Sequence, residues 1–179
     1  MNKKKMNKIL LGSTLLLAGC DGCYNTARSD VYLTSPTGLN QKIGEISFKD
    51  TPSGMVVDVD LQNLPAGEHG FHIHENPDCG ASVDANGNMQ PALKAGGHYD
   101  PGKTGHHMGP NHPDGHRGDL PVLTVSPNGT VKTSFTIKDL KVKEIKNRSI
   151  MIHAGGDNYS DEPLPLGGGG ARIACGVIK

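Results

Sequence analysis

Residues 96–120 read GGHYDPGKTGHHMGPNHPDGHRGDL, and this stretch constrains the fold more than any other. Glycine and proline punctuate it throughout, leaving too little periodic apolar surface for an ordinary helix or strand. It carries His98, His106, His107, His112 and His116, with Asp119 close behind. A long loop in a compact domain is usually functional or disordered. Histidines beside a carboxylate point to a metal ion as the agent that orders this one. Taken alone, the stretch would also be consistent with a solvated His/Gly loop.

Around it the chain reads as short β segments separated by turn residues. Val31–Thr34 is the first, closed by Ser35-Pro36-Thr37-Gly38, and Lys42–Lys49 follows. In Met55–Leu61, Met55, Val57, Val59 and Leu61 alternate with Asp58 and Asp60, the period of a half-buried strand. Pro121–Val125 and Thr130–Ile137 flank Asn128-Gly129, a strong hairpin turn. Ser149–Ala154 and Ala171–Ile178 complete the set, and helical periodicity is confined to one short turn within Lys138–Ser149. Such a pattern predicts an all-β antiparallel sandwich or barrel. Lys138, Lys141, Lys143 and Lys146 are expected to form a solvated face.

The N-terminus has its own logic. Lys3, Lys4, Lys5 and Lys8 precede an apolar run, Ile9–Ala18, that is too short for a transmembrane helix. The run ends Leu17-Ala18-Gly19-Cys20, which resembles a bacterial lipobox. Residues 1–19 are therefore expected to be a lipoprotein-type signal peptide, with Cys20 lipidated and the protein anchored to a membrane; an ordinary secretory signal is the alternative. Asp21 resembles an inner-membrane retention signal. Residues 20–40 are expected to hold a tether, flexible over Asp21–Asp30, and the first strand, with one domain over 41–179. Loss of the four leader lysines leaves 14 of 18 basic residues against 18 acidic ones, a net charge of −4. That balance argues against a nucleic-acid partner. Cys23 has no assigned role.

Gly67–Glu75, GEHGFHIHE, supplies a second histidine group. Alternate side chains of a strand share a face, so His72 and His74 point together, as suits a transition metal. His69 is open between membership of that group and a buried histidine bonded to backbone.

The motifs then follow in one order: HxH, GGHxDP, HxGP, HxGDLP, a strand ending at His153, and GGGGARIACGVI. Over roughly Ile43–Lys179 this resembles the copper/zinc superoxide dismutase family, bacterial periplasmic type. The resemblance implies an eight-stranded antiparallel Greek-key β-sandwich or flattened barrel with long metal-binding loops, a fold class for which this family is itself a standard example. It implies copper held by His72, His74, His98 and His153, and zinc held by His98, His107, His116 and Asp119, with His98 shared. His107 rather than His106 is the ligand because it heads His-x-Gly-Pro; His112 has no counterpart and is expected in solvent.

By the same resemblance Asp157 bonds to His72 and His107, fixing ring tautomer and orientation. Arg172 guides the superoxide anion to copper, and Cys79 pairs with Cys175. Closing a loop of that size contributes about 4–5 kcal/mol on a disputed chain-entropy account. Gly167–Gly170 lacks the lysine and helix of a phosphate loop and reads as backbone crowding near the site. Lys94, just before the metal loop, is either a steering charge or merely solvated.

The implied activity is dismutation of superoxide to oxygen and hydrogen peroxide in the periplasm, with His98 delivering a proton. The alternative in another class is a periplasmic copper/zinc storage or delivery module, for which a missing ligand, Asp157 or Arg172 would be the sign. Bacterial members occur as monomers and as dimers, so a homodimer is one of two implied states.

Overall fold

A computed structural model describes residues 24–179; the leader, Cys20 and Cys23 lie outside the described residues. The strands are β1 (Thr26–Ser35), β2 (Gly38–Thr51), β3 (Gly54–Leu61), β4 (Gly67–His69), β5 (Phe71–His74), β6 (Ser82–Val83), β7 (Met89–Gln90), β8 (Leu123–Val125), β9 (Val131–Ile137), β10 (Ser149–His153) and β11 (Arg172–Val177). One helical turn, α1 (Val142–Ile145), falls inside the segment expected to hold one.

The alternation read in β3 sets the inside of the molecule. Met55, Val57, Val59 and Leu61 are buried, while Asp58 and Asp60 face water. Seven strands form one curled antiparallel sheet in the order β5-β10-β11-β1-β2-β3-β9. β10 and β11, late in the chain, lie between β5 and β1, which is a Greek-key crossing. β4 pairs with β8 instead, and only Gly70 separates β4 from β5. β4 and β5 are thus two halves of one interrupted strand that joins the sheets. With the small β6–β7 hairpin set aside, eight strands remain, the number expected.

The interior is apolar and continuous. Ile43, Ile46, Phe48, Met55, Phe71, Ile73, Ile150 and Ile152 all belong to one buried cluster. Phe71 meets Phe135 edge to face at 6.3 Å between centroids, a geometry favoured by ring quadrupoles. A smaller cluster of Cys79, Ala92, Ala95, Met151 and Cys175 lies under the loop that follows β5.

One sequence expectation needs correction. β1 starts at Thr26, so residues 26–30 are strand rather than flexible tether, and they pair with Lys49–Glu45 of β2. Ala27, Ser29 and Val31 point inward between exposed Arg28 and Asp30. A serine and an alanine in the inward row concealed the alternation. Of the lysine-rich segment, Lys138, Lys143 and Lys146 are exposed as expected, while Lys141 is half-buried.

Gly44 marks an irregularity in the β1–β2 register, at φ +147°, where a Cβ would collide with the Asp60 carbonyl. Gly44→Ala is expected to destabilise the fold by about 1–3 kcal/mol, the scale of a strained backbone position. Ser134→Ala, on the exposed face of β9 opposite Asp58, should change stability by less than about 0.5 kcal/mol. Chemical denaturation of both variants checks the contrast.

Candidate metal centre

β5 and β10 are the rigid base of the site. Phe71 and Ile73 enter the core, so period-two geometry turns His72 and His74 to the opposite face. β10 ends in His153, and across the sheet Arg172 of β11 is its direct partner. The two ends of the histidine-rich loop are stitched to β5 by backbone bonds. Tyr99 N–H donates to Ile73 O at 2.8 Å, Ile73 N–H to Gly118 O at 2.8 Å, and Glu75 N–H to Gly97 O at 3.0 Å. His98 is thereby placed opposite His74, and Asp119 opposite His72.

His72, His74, His98 and His153 bring ligand atoms within 4.8 Å of one another. Nδ1 of His72 and Nε2 of His74, His98 and His153 are buried with no hydrogen-bond partner in the protein. Their other nitrogens are all engaged: His74 Nδ1 with Gly96 O at 2.9 Å, His153 Nδ1 with Gly170 O at 3.2 Å, and His98 Nδ1 with Asp119 at 2.9 Å. Leaving a buried polar atom unpaired costs about 1–3 kcal/mol, and four converge on one point. An ion that accepts imidazole nitrogen fits that arrangement.

A second set adjoins it. His98, His107 and Asp119, with the neighbouring His72, also offer atoms within 4.8 Å. Nδ1 of His107 and of His116 and Oδ2 of Asp119 are buried without hydrogen bonds. His107 Nδ1 stands 2.9 Å from Asp119 Oδ2, and His116 Nδ1 3.5 Å from Asp119 Oδ1. His116 lies at the edge of this set. His72 is near it because its ring stacks on His98 at 4.0 Å, and its Nε2 is bonded to Asp157. Three nitrogens and a carboxylate are the donor chemistry of a closed zinc site.

Asp157 ties the two sets together. Its Oδ2 accepts from His72 Nε2 and its Oδ1 from His107 Nε2, both at 2.7 Å, and Tyr159 N–H also donates to Oδ1. These bonds hold the Asp157 carboxyl far below the usual carboxylate range despite its burial. Asp119 is depressed in the same way, with the imidazoles of His107, His116 and His98 gathered at its carboxylate outweighing burial.

Cys79 and Cys175 form a disulfide, fastening the loop after β5 to β11. Arg172 reaches that same loop, donating to Ala92 O at 2.7 Å and Gly96 O at 2.8 Å. Gly96 O therefore receives both Arg172 and His74, which links the guanidinium to the first donor set. Burial lowers the Arg172 pKa somewhat, yet so strong a base remains protonated.

The histidines left open by sequence now separate. His69 takes the backbone option, with Nδ1 at His153 O and Nε2 at Pro65 O. His106, His112 and Lys94 are exposed. The crowding expected at Gly167–Gly170 is present: a Cβ on Gly167, at φ +71°, would strike the Asp157 carboxyl and His107 Nε2. Sequence reasoning missed Asp161, whose Oδ2 accepts the His107 backbone N–H at 2.9 Å. Its only sequence signal is an acidic residue four after Asp157.

The family model described as Copper/zinc superoxide dismutase (SODC) matches residues 42–178. The chain belongs to the copper/zinc superoxide dismutase family. It is 46% identical over 175 residues to the superoxide dismutase [Cu-Zn] of Brucella abortus, covering 97% of this chain and all of that one. It is 51% identical over 155 residues to superoxide dismutase [Cu-Zn] 1 of Salmonella typhimurium, covering 86% of each. The solved copper/zinc superoxide dismutase from Brucella abortus superposes with a TM-score of 0.83 at 49% identity, over 87% of this chain and 100% of that one.

Electrostatics within the family site predict how the metal-free protein responds to pH. Burial pulls His98 down to about 4 against the opposing pull of Asp119, and pulls His153 down to about 3. Burial, with repulsion from His98, Arg172 and His153, also holds His74 well below its ordinary value. Unfolded histidine titrates near about 6.5. Below that the unfolded chain binds more protons, so stability falls as pH drops from about 6.5 toward 3. His107 has the opposite sign. Burial opposes its proton, but Asp119 and Asp157 prevail and raise it to about 9. Its contribution is complete below about 6.5 and is lost as pH rises through 9. Chelator-treated protein should therefore melt highest near pH 6.5 and lower at pH 4.5 and pH 9.5. Circular dichroism melts across that range check the expectation, and steadily rising stability toward pH 9.5 would contradict it.

Proposed function

We propose that this protein dismutates superoxide to oxygen and hydrogen peroxide, with His72, His74, His98 and His153 holding copper and His98, His107, His116 and Asp119 holding zinc. The observation that carries the reading is His98. Its ring offers a buried, unpartnered Nε2 to one donor set while Nδ1 lies 2.9 Å from Asp119 in the other. When bound, copper would supply one-electron redox chemistry through its two oxidation states, while zinc, which has no redox chemistry, would contribute charge and order.

The chain's own residues do the rest. Arg172, protonated and fastened to Ala92 and Gly96, presents positive charge beside His153 and draws a small anion to the site. Asp157 fixes the tautomers of His72 and His107, which leaves Nδ1 of each free to act as a donor. His98 Nε2 is the atom that holds and releases a proton; a second proton comes from water. Two superoxide anions and two protons thus balance one oxygen and one hydrogen peroxide. An intact Arg172 and Asp157 favour turnover over a storage or delivery module.

Exported, periplasmic work is part of the proposal, supported by the leader motif that ends at Cys20. Anchoring through lipidated Cys20 follows from the same motif. Radiolabelled palmitate should enter the wild-type chain and be absent from Cys20→Ser.

Turnover of superoxide should require copper added back to the metal-free protein, and zinc alone should give none. His153→Ala is expected to lose copper and at least about 100-fold in activity, since it deletes a donor. Arg172→Ala should retain both metals and lose turnover most at low salt, where charge steers best. Metal analysis beside a pulse-radiolysis assay reads each outcome, and full activity of copper-free His153→Ala would end the proposal.

A further inference from the structure

The helical turn α1 and the residues flanking it touch both ends of the metal loop. Near the loop's C-terminal end, Arg117 sits between His116 and Gly118, and its guanidinium donates to Glu144 Oε1 at 3.0 Å and to Asp139 O. Glu144 Oε2 meanwhile accepts the Lys141 N–H at 2.9 Å, so the carboxylate is held at both oxygens. At the loop's other end Arg148 lies over the Tyr99 ring, its guanidinium carbon 3.6 Å from the centroid. Arg148 also donates from Nε to Glu144 O at 2.7 Å and from NH1 to Glu75 O at 3.0 Å. Tyr99 follows His98 directly, and Glu75 follows His74.

We propose that Glu144 and Arg148 form a clasp outside the metal centre that braces, beyond the backbone bonds, the two ends of the metal loop, making both of them positioning residues for His98 and His116. The inference rests on the ligand assignment proposed above, and it adds residues that touch neither metal nor substrate.

The physical argument concerns stiffness. Residues 99–117 are rich in glycine and proline and bury few apolar side chains of their own. Such a segment opens easily unless its ends are fixed. Backbone bonds to β5 fix the ends along the strand. A Gly118 N–H bond to Tyr99 O at 2.9 Å joins the two ends at the backbone, which leaves the Arg117 and Tyr99 side of the loop to side-chain contacts. Arg148 is suited to that side because its planar fork serves two carbonyls while its face stacks on an aromatic ring. Glu144 then couples the two arginines through one side chain and one carbonyl. His72, His74 and His153 stand on strands and do not depend on this restraint. The clasp therefore predicts a selective effect, in which the zinc set loosens and the strand-borne copper histidines do not.

The experiment uses full-length mature protein with Glu144→Ala, Glu144→Gln and the milder Arg148→Lys. Zinc release to a chromophoric chelator is timed, and cobalt(II) is placed in the zinc set so that its visible bands report ligand geometry. Zinc release is expected to accelerate about 10-fold in Glu144→Ala, the lower end for partners that orient ligands. The cobalt bands should shift, and copper retention should stay within about 2-fold. Glu144→Gln, which keeps an oxygen acceptor, should recover part of the loss, and Arg148→Lys should fall between it and wild type. A lowered melting temperature with unchanged release and bands would overturn the clasp, as would equal loosening of copper and zinc. Should wild type fail to give tetrahedral cobalt bands at all, the ligand assignment fails and not the clasp alone.

Discussion

Burial of unpaired imidazole nitrogen is the constraint on which the rest of the structure depends. Six histidines and two aspartates are packed beneath the surface, and seven of their ligand atoms have no hydrogen-bond partner in the protein. Each such atom opposes folding, so the arrangement is stable only because the scaffold around it leaves no cheaper alternative. β5 and β10 supply that scaffold, since one face of each strand is committed to Phe71, Ile73, Ile150 and Ile152 in the core. The opposite face presents His72 and His74 from β5 and His153 from β10.

The second partner of each ring is what makes the cluster specific. His74 and His153 are tied to backbone carbonyls, His98 to Asp119, and His72 and His107 to Asp157. For His72, His74, His107 and His153 the engaged nitrogen determines which nitrogen remains to bind metal. Asp157 has the largest share in this, because one carboxylate sets the tautomer of a ring in each donor set. Gly167 is a consequence of the same crowding: only a residue without Cβ leaves room for that carboxylate.

Loops are the second theme. The metal loop has little core of its own, and its order comes from fastenings at its edges. β5 holds it through backbone bonds, the disulfide and Arg172 hold the loop after β5, and Asp161 holds the His107 backbone. Such a division between rigid strands and fastened loops lets a sandwich carry a metal centre without altering its core.

The amino-acid sequence alone determined the β class, most strand positions, the family and the grouping of candidate ligands. Period-two alternation in β3 and the spacing of His72 and His74 are local properties, and local properties survive in one dimension. It did not reveal that β1 begins at Thr26, because Ser29 occupies an inward position that a polar side chain disguises. Nor did it reveal the roles of Asp161, Glu144 and Arg148, whose partners are between 27 and 73 residues distant or reached through backbone atoms that sequence does not distinguish. Tertiary structure decided which nitrogen of each histidine is free, since that depends on what a fold brings against the other nitrogen.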